Sequence, residues 1–159
     1  MWVRVPPTVP MIFLLEVNEV ENQKEFNEKL DKIRDNAIIE VSKWWGLRTP
    51  GCSGTLITKN KEVYLYQYYH IIPKELEDKN TNFILKNKEL NINEYNKVIK
   101  FIENEIVNKE FHDETIFDAG YNVTVNYNGT KKRIINNKGE GDNLKIYDKA
   151  QQLVDELLK

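Results

Sequence analysis

The sequence predicts an α+β fold, with an antiparallel sheet of about five strands and three helices packed mainly on one face. Hairpin patterns occupy residues 55–72 and 116–136, and amphipathic helical patterns occupy residues 22–42, 93–108 and 143–158. Because hairpins alternate with the helices, the strands should be antiparallel, whereas single strands alternating with helices would indicate a parallel sheet. The chain of 159 residues is long enough to bury one hydrophobic core.

The first predicted helix, over residues 22–42, rests on the spacing of its apolar residues. These recur at intervals of four, three and four positions, at Phe26, Leu30, Ile33 and Ala37. Charged residues fill the opposite face, which is the pattern of an amphipathic helix. Asn22, with Glu25 three residues later, is a start signal for this helix.

The first hairpin is predicted from two runs of β-branched and aromatic residues, 55–58 and 62–72, joined by Lys59-Asn60-Lys61. A third strand should begin at Phe83. The second hairpin covers residues 116–136, where apolar and polar residues alternate up to the Asn128-Gly129 pair. Asn-Gly is the strongest short-range signal for a two-residue hairpin turn.

The second and third helices are predicted from apolar faces of helical period. In the helix over residues 93–108, which we expect Asn93 to cap, this face carries Tyr95, Val98, Ile99, Ile102 and Ile106. In the helix over residues 143–158 the inward residues are Tyr147, Ala150, Val154 and Leu157. Both helices should pack against the sheet.

We expect one α+β domain over residues 11–159, preceded by a disordered or non-native extension over residues 1–10. The extension carries three prolines but no lysine, asparagine or acid, unlike the rest of the chain. Codons for its first seven residues can spell the T arm of a transfer RNA, so the native start is expected at Met11. A genuine proline-rich tail is the alternative.

Composition excludes several classes of protein. Apolar residues make up 40% of the chain and the formal net charge is −2, which does not fit a disordered chain or a strongly basic nucleic-acid binder. The single cysteine, Cys52, cannot form an internal disulfide, which favours the cytoplasm. No pattern indicates a catalytic motif, a metal site, a cofactor or a membrane span. The short basic run 131–133 is too narrow to predict nucleic acid as a partner.

An aromatic stripe is the feature that most favours binding. In the strand over residues 62–72, alternation puts odd-numbered residues in the core and leaves one face to Tyr64, Tyr66, Tyr68 and His70. With Trp44 and Trp45 nearby in sequence, these side chains could anchor a protein partner. The alternative is that the tyrosines only pair across strands.

The sequence therefore predicts a non-catalytic cytoplasmic domain, of bacterial origin, that acts by protein–protein contact through this stripe. Immunity, antitoxin and other inhibitor proteins provide a class-level analogy. One alternative is a small-molecule enzyme with a dispersed site near His70 that involves Asp118 and the tyrosines. A separate hypothesis is that Cys52 and His70 form a nucleophile and its base. Another is a homodimeric structural module that uses the tyrosine face as its seam.

Overall fold

The computed structural model describes residues 17–19, 23–46, 50–77, 79, 81–111, 119–136 and 141–159. The predicted extension over residues 1–10 lies outside them. In chain order the elements are β1 (Val17–Glu19), α1 (Gln23–Arg34), β2 (Ala37–Trp45), β3 (Gly51–Thr58), β4 (Glu62–Tyr69), β5 (Phe83–Glu89), α2 (Ile92–Ile102), β6 (Gly120–Tyr127), β7 (Thr130–Asn136) and α3 (Asp142–Leu157).

All described strands form one antiparallel sheet, which confirms the α+β class. The strand order is β1-β5-β4-β3-β2-β6-β7, so the sheet has seven strands where about five were expected. Strands β2 to β5 are consecutive neighbours, and the β6–β7 hairpin joins the sheet beside β2. Strand β2 pairs with both β3 and β6, so it joins the β6–β7 hairpin to the other strands.

Strand β2 corrects the first predicted helix at its C-terminal end. The helix ends at Arg34, and Ala37, which continues the helical spacing of apolar residues, is the first residue of a central strand. Residues 37–42 are all buried, because both faces of the sheet are covered here. A strand buried on both faces lacks the apolar–polar alternation that marks a half-exposed strand, so periodicity alone could not separate it from a helix.

Both predicted hairpins are present. Strands β3 and β4 pair from Gly51–Tyr69 to Ile57–Val63, and β6 and β7 pair around the Asn128-Gly129 turn. Both turn residues have positive φ, 47° and 78°, as a type I′ hairpin requires. Residues 116–118, expected at the start of the second hairpin, lie outside the described residues.

The helices pack on both faces of the sheet, whereas we expected them mainly on one. Helices α2 and α3 cover the face formed by Val41, Ile57, Val123 and their neighbours, hereafter the α2/α3 face. Helix α1 packs through Phe26 and Leu30 on the opposite face, hereafter the α1 face, against residues of β3, β4 and β5: Leu56, Tyr66, Tyr68 and Ile84. The two apolar clusters are separated by the sheet.

Helices α2 and α3 match the predicted ranges closely. Helix α2 begins one residue earlier than expected, since Asn91, not Asn93, forms a capping box with Glu94. Its last turn continues as a π-helical segment, Glu103–Val107, so the helical stretch ends near the expected position. Among the described helices, none combines the length and apolar character needed to cross a membrane.

Truncating Ile102 tests the facing of α2. The side chain is fully buried against the sheet, so Ile102→Ala should lower the free energy of unfolding by about 2–5 kcal/mol. Ile92 of the same helix is 58% exposed, and Ile92→Ala should change the free energy of unfolding by less than about 0.5 kcal/mol. Urea denaturation measures both variants, and equal effects would contradict the facing described above.

Candidate binding cleft

A cleft of about 480 Å³ opens on the α1 face, beside the C-terminal end of α1. Its size is within the range of pockets that hold small molecules or inserted side chains. Helix α1 packs over β3 to β5, and the neighbouring strands β2, β6 and β7 supply most of the lining. The lining residues are Arg34, Glu40, Ser42, Lys43, Trp44, Cys52, Tyr66, Asn122, Thr124 and Arg133.

A buried carboxylate, that of Glu40, forms one wall of the cleft. Glu40 lies in the middle of β2, and only 7% of the residue is exposed. Arg34, the last residue of α1, donates two hydrogen bonds to it, from Nε to Oε2 at 2.9 Å and from Nη2 to Oε1 at 2.7 Å. The Tyr66 hydroxyl donates a third, to Oε1, at 2.5 Å. A buried charge is tolerated only with such partners, so the three side chains hold one another in place.

Glycine at position 54 makes the Tyr66–Glu40 hydrogen bond possible. Tyr66 on β4, Gly54 on β3 and Ser42 on β2 are direct neighbours across the sheet. The Tyr66 ring therefore passes over Gly54 to reach β2. A Cβ atom at position 54 would lie 2.6 Å from the Tyr66 hydroxyl oxygen and 2.7 Å from the Ser42 Cβ, which leaves room for glycine alone.

A second polar cluster lies on the other side of the cleft and is centred on Asn122. Asn122 is 6% exposed, and its Nδ2 donates to Ser42 Oγ at 3.1 Å. Its Oδ1 accepts from Thr124 Oγ1 and from Arg133 Nε, each at 3.2 Å. Because Asn122 is buried and held by Ser42, it fixes the position of the exposed Arg133 side chain at the rim.

The basic run 131–133 is divided between the two faces of the sheet. Arg133 lines the cleft, whereas Lys132 lies on the α2/α3 face. There the Lys132 ammonium donates to the carbonyl oxygens of Ile106, Val107 and Lys109, at 3.1, 2.8 and 2.7 Å. A lysine at this position offsets the partial negative charge of a helix C-terminus. Because side chains alternate along β7, Lys132 and Arg133 lie on opposite faces and do not form one basic surface.

The titratable groups on the apolar side of the cleft stay protonated at neutral pH. Burial, and then the Glu40 carboxylate, raise the pKa of the Tyr66 phenol well above its ordinary value. Burial also raises the pKa of the Cys52 thiol to about 11, against the opposing effect of Arg34. A thiol is a weak nucleophile until it is ionised, so this environment does not activate Cys52.

The predicted exposure of the tyrosine stripe is wrong at its centre. Tyr66 is 3% exposed and Tyr68 is 7% exposed, because both lie beneath α1 and pack against Phe26. The alternation was assigned correctly as far as Tyr69, where β4 ends, but Ile71, which was expected in the core, is 56% exposed. The face assumed to be free is the one that α1 covers. Tyr64 is half-buried at the edge of the same apolar cluster.

The other predicted partner-binding residues are placed apart from one another. Trp44 lines the cleft, next to Cys52. Trp45 lies on the opposite face, where its ring packs edge-on against Tyr69 at 5.3 Å. His70 is exposed, its ring packs against Tyr68 at 5.1 Å, and its backbone N–H donates to the Pro50 carbonyl at 2.7 Å. Of the predicted set, Trp44 and the buried Tyr66 line the cleft, and the role of Trp44 in binding a partner stays a prediction.

The sequence reasoning missed Arg34, Glu40 and Asn122 as site residues. A signal existed for one of them, since Glu40 is an acid inside an otherwise apolar run, 37–41. Among the described residues Cys52 and His70 form no hydrogen bond with each other, and Asp118, which belongs to the enzyme alternative, lies outside the described residues. Within the described ranges, no three His, Cys, Asp or Glu residues lie close enough to hold a metal ion.

Comparisons with known proteins find no relative of this chain. No model of a known protein family matches it. No curated protein and no solved structure matches it either. Inference about function therefore rests on the geometry and chemistry of the described residues.

Alkylation of Cys52 tests whether the cleft activates this thiol. Since burial raises its pKa to about 11, the rate of reaction with iodoacetamide should be low at pH 8 and keep rising through pH 10. Cys52 is the only cysteine in the chain, so intact-mass measurement follows it alone. The same chain unfolded in urea is the control and should react with a midpoint near pH 8.5. A folded-state midpoint below that of the control would indicate an activated nucleophile.

Proposed function

We propose that this protein is a non-catalytic binding domain that acts by contact with another protein, and that the cleft is its contact site. The observation that carries the proposal is the fixed position of Arg133 and Arg34 on either side of the cleft, each held by a buried partner, Asn122 and Glu40. Side chains that are ordered before binding lose little conformational entropy when a partner docks.

The residue types in the cleft support binding in preference to catalysis. Trp and Arg are among the residues most enriched at the energetically dominant positions of protein interfaces, and Trp44, Arg34 and Arg133 line the cleft. Catalysis would favour a group whose pKa is shifted toward neutrality. The raised pKa values of Cys52 and Tyr66 are shifted away from it.

The cellular setting that we propose is the bacterial cytoplasm, with a regulatory or inhibitory role. The single free cysteine is compatible with a reducing compartment. A domain that inhibits another protein needs only a shaped contact surface, and no catalytic group. These finer assignments depend on the identity of the partner.

Affinity capture with cleft variants tests the proposed contact site. The chain of 159 residues would be immobilised and exposed to lysate of the organism that encodes it, and retained proteins would be identified by mass spectrometry. We expect a partner to be retained at least roughly tenfold less by Trp44→Ala, because truncating a central aromatic anchor removes much of the binding free energy. Ile92→Ala, on the exposed side of α2, is the matched control and should retain it fully.

A second variant tests the same cleft in case Trp44→Ala does not fold. Thr124→Tyr keeps a residue that favours strands but fills the cleft, and it should also abolish retention. Circular dichroism and thermal unfolding would check that both variants fold. Equal retention by all variants, or no retention above the bare matrix, would contradict the proposal. Retention of a second copy of this chain would identify a self-associating module instead.

A further inference from the structure

We propose that the partner inserts an acidic side chain, aspartate or glutamate, into the cleft and that its carboxylate pairs with Arg133. This inference rests on the proposed function and specifies the chemistry of the contact. It is carried by the geometry of Arg133, by the charge of the cleft lining and by the polarity of the helix end beside it.

Arg133 presents an oriented guanidinium edge to the cleft. Its Nε is engaged by Asn122 Oδ1, whereas its two Nη groups form no hydrogen bond or ion pair with any residue that the structure describes. Asn122 is itself anchored to Ser42. The planar fork of an arginine matches the two oxygens of a carboxylate, so the free edge of Arg133 suits one bidentate carboxylate.

The cleft lining carries a local surplus of positive charge. The side chains of Arg34 and Arg133 are cationic and that of Glu40 is the single anion, whereas the Lys43 side chain lies on the α2/α3 face together with Val41. The Glu40 carboxylate is already engaged by Arg34 and Tyr66, so it does not compensate Arg133. Because the whole chain has a net charge of −2, this surplus belongs to the cleft and is not a general property of the protein.

The charge distribution favours a singly charged carboxylate over a phosphate dianion. Helix α1 contributes its C-terminal end, Arg34, to the cleft, and that end of a helix carries partial negative charge. The buried Glu40 carboxylate adds to the repulsion that a dianion would experience. The guanidinium edge of Arg133 is sufficient for a monoanion.

The apolar part of the lining fits the methylene stem of such a side chain. Trp44, Cys52 and the Tyr66 ring lie along the cleft, on strands β2, β3 and β4. An acidic side chain that enters past them keeps its stem in apolar contact while its carboxylate reaches Arg133.

Nitrogen-15 NMR of the arginine side chains tests this inference without the partner. The chain has only four arginines, and Arg133→Lys identifies the Nε–Hε signal of Arg133. The probe is N-acetyl-glutamate N-methylamide, a blocked glutamate residue, titrated to roughly 50 mM because a single ion pair binds weakly. N-acetyl-glutamine N-methylamide, which has nearly the same shape but no charge, is the matched control, and inorganic phosphate at equal ionic strength is the third arm.

We expect a saturable shift of the Arg133 signal with the glutamate probe and roughly tenfold weaker binding of the glutamine probe. The glutamate probe should also shift the side-chain amide signal of Asn122, which is hydrogen-bonded to Arg133. In Arg133→Gln, which should fold normally because position 133 is exposed, the probe should no longer shift the Asn122 signal. Equal shifts with both peptides, no shift at Arg133, or parallel shifts of all four arginines would overturn the inference. Tighter binding of phosphate would show that the cleft takes a phosphorylated group instead.

This titration and the capture experiment can fail separately. If retention of the partner depends on Trp44 but Arg133 does not respond to the carboxylate, the contact site stands and its proposed chemistry is wrong. If Arg133 responds but retention is the same for the cleft variants, the cleft recognises a carboxylate and the proposed protein contact is wrong.

Discussion

Burial of the Glu40 carboxylate is the constraint on which the rest of the α1 face depends. A charged group at 7% exposure on a central strand would destabilise the fold strongly unless it were paired and hydrogen-bonded. Its partners come from two other elements, Arg34 at the end of α1 and Tyr66 on β4. Removal of Arg34 would leave an uncompensated charge, and removal of the Tyr66 hydroxyl would take away a buried hydrogen bond, so the carboxylate links the end of the helix to the sheet.

This link also shapes the cleft. Helix α1 must end where Arg34 can reach Glu40, which leaves β6 and β7 beyond the apolar contacts of the helix. Tyr66 can reach the same carboxylate only because Gly54 has no side chain. One wall of the cleft thus consists of Glu40 and the partners that its buried charge requires. The other wall, Asn122 with Arg133, is held by separate hydrogen bonds.

Much of the fold could be predicted from the sequence because it is encoded locally. The Asn128-Gly129 turn, the amphipathic faces of α2 and α3 and the alternation along β4 each depend on neighbouring residues. Strand β2 could not be predicted in this way, since both its faces are buried. The predicted helix therefore extended through the residues that form β2. With that helix boundary, the sequence did not indicate that α1 covers the tyrosine face.

The candidate site was less predictable than the fold, because its contacts join residues that are distant in sequence. Glu40 and Tyr66 are 26 residues apart, and Ser42 and Asn122 are 80 apart. Sequence alternation gave the side of β4 on which Tyr66 lies, but no local pattern indicates which strand its hydroxyl reaches. That depends on the register of three strands and on the glycine between them.

The coupling free energy between Tyr66 and Glu40 is the most direct measure of the central claim. A double-mutant cycle of Tyr66→Phe and Glu40→Gln, followed by urea denaturation, removes the hydroxyl and the charge separately and together. The cluster predicts a coupling of about 1.5–3 kcal/mol, as for hydrogen bonds to charged groups. A parallel cycle of Tyr64→Phe with Glu40→Gln should be additive, since the Tyr64 hydroxyl donates to Glu62. Additivity within about 0.5 kcal/mol in the Tyr66 cycle would contradict the claim that Glu40 ties α1 and β4 together.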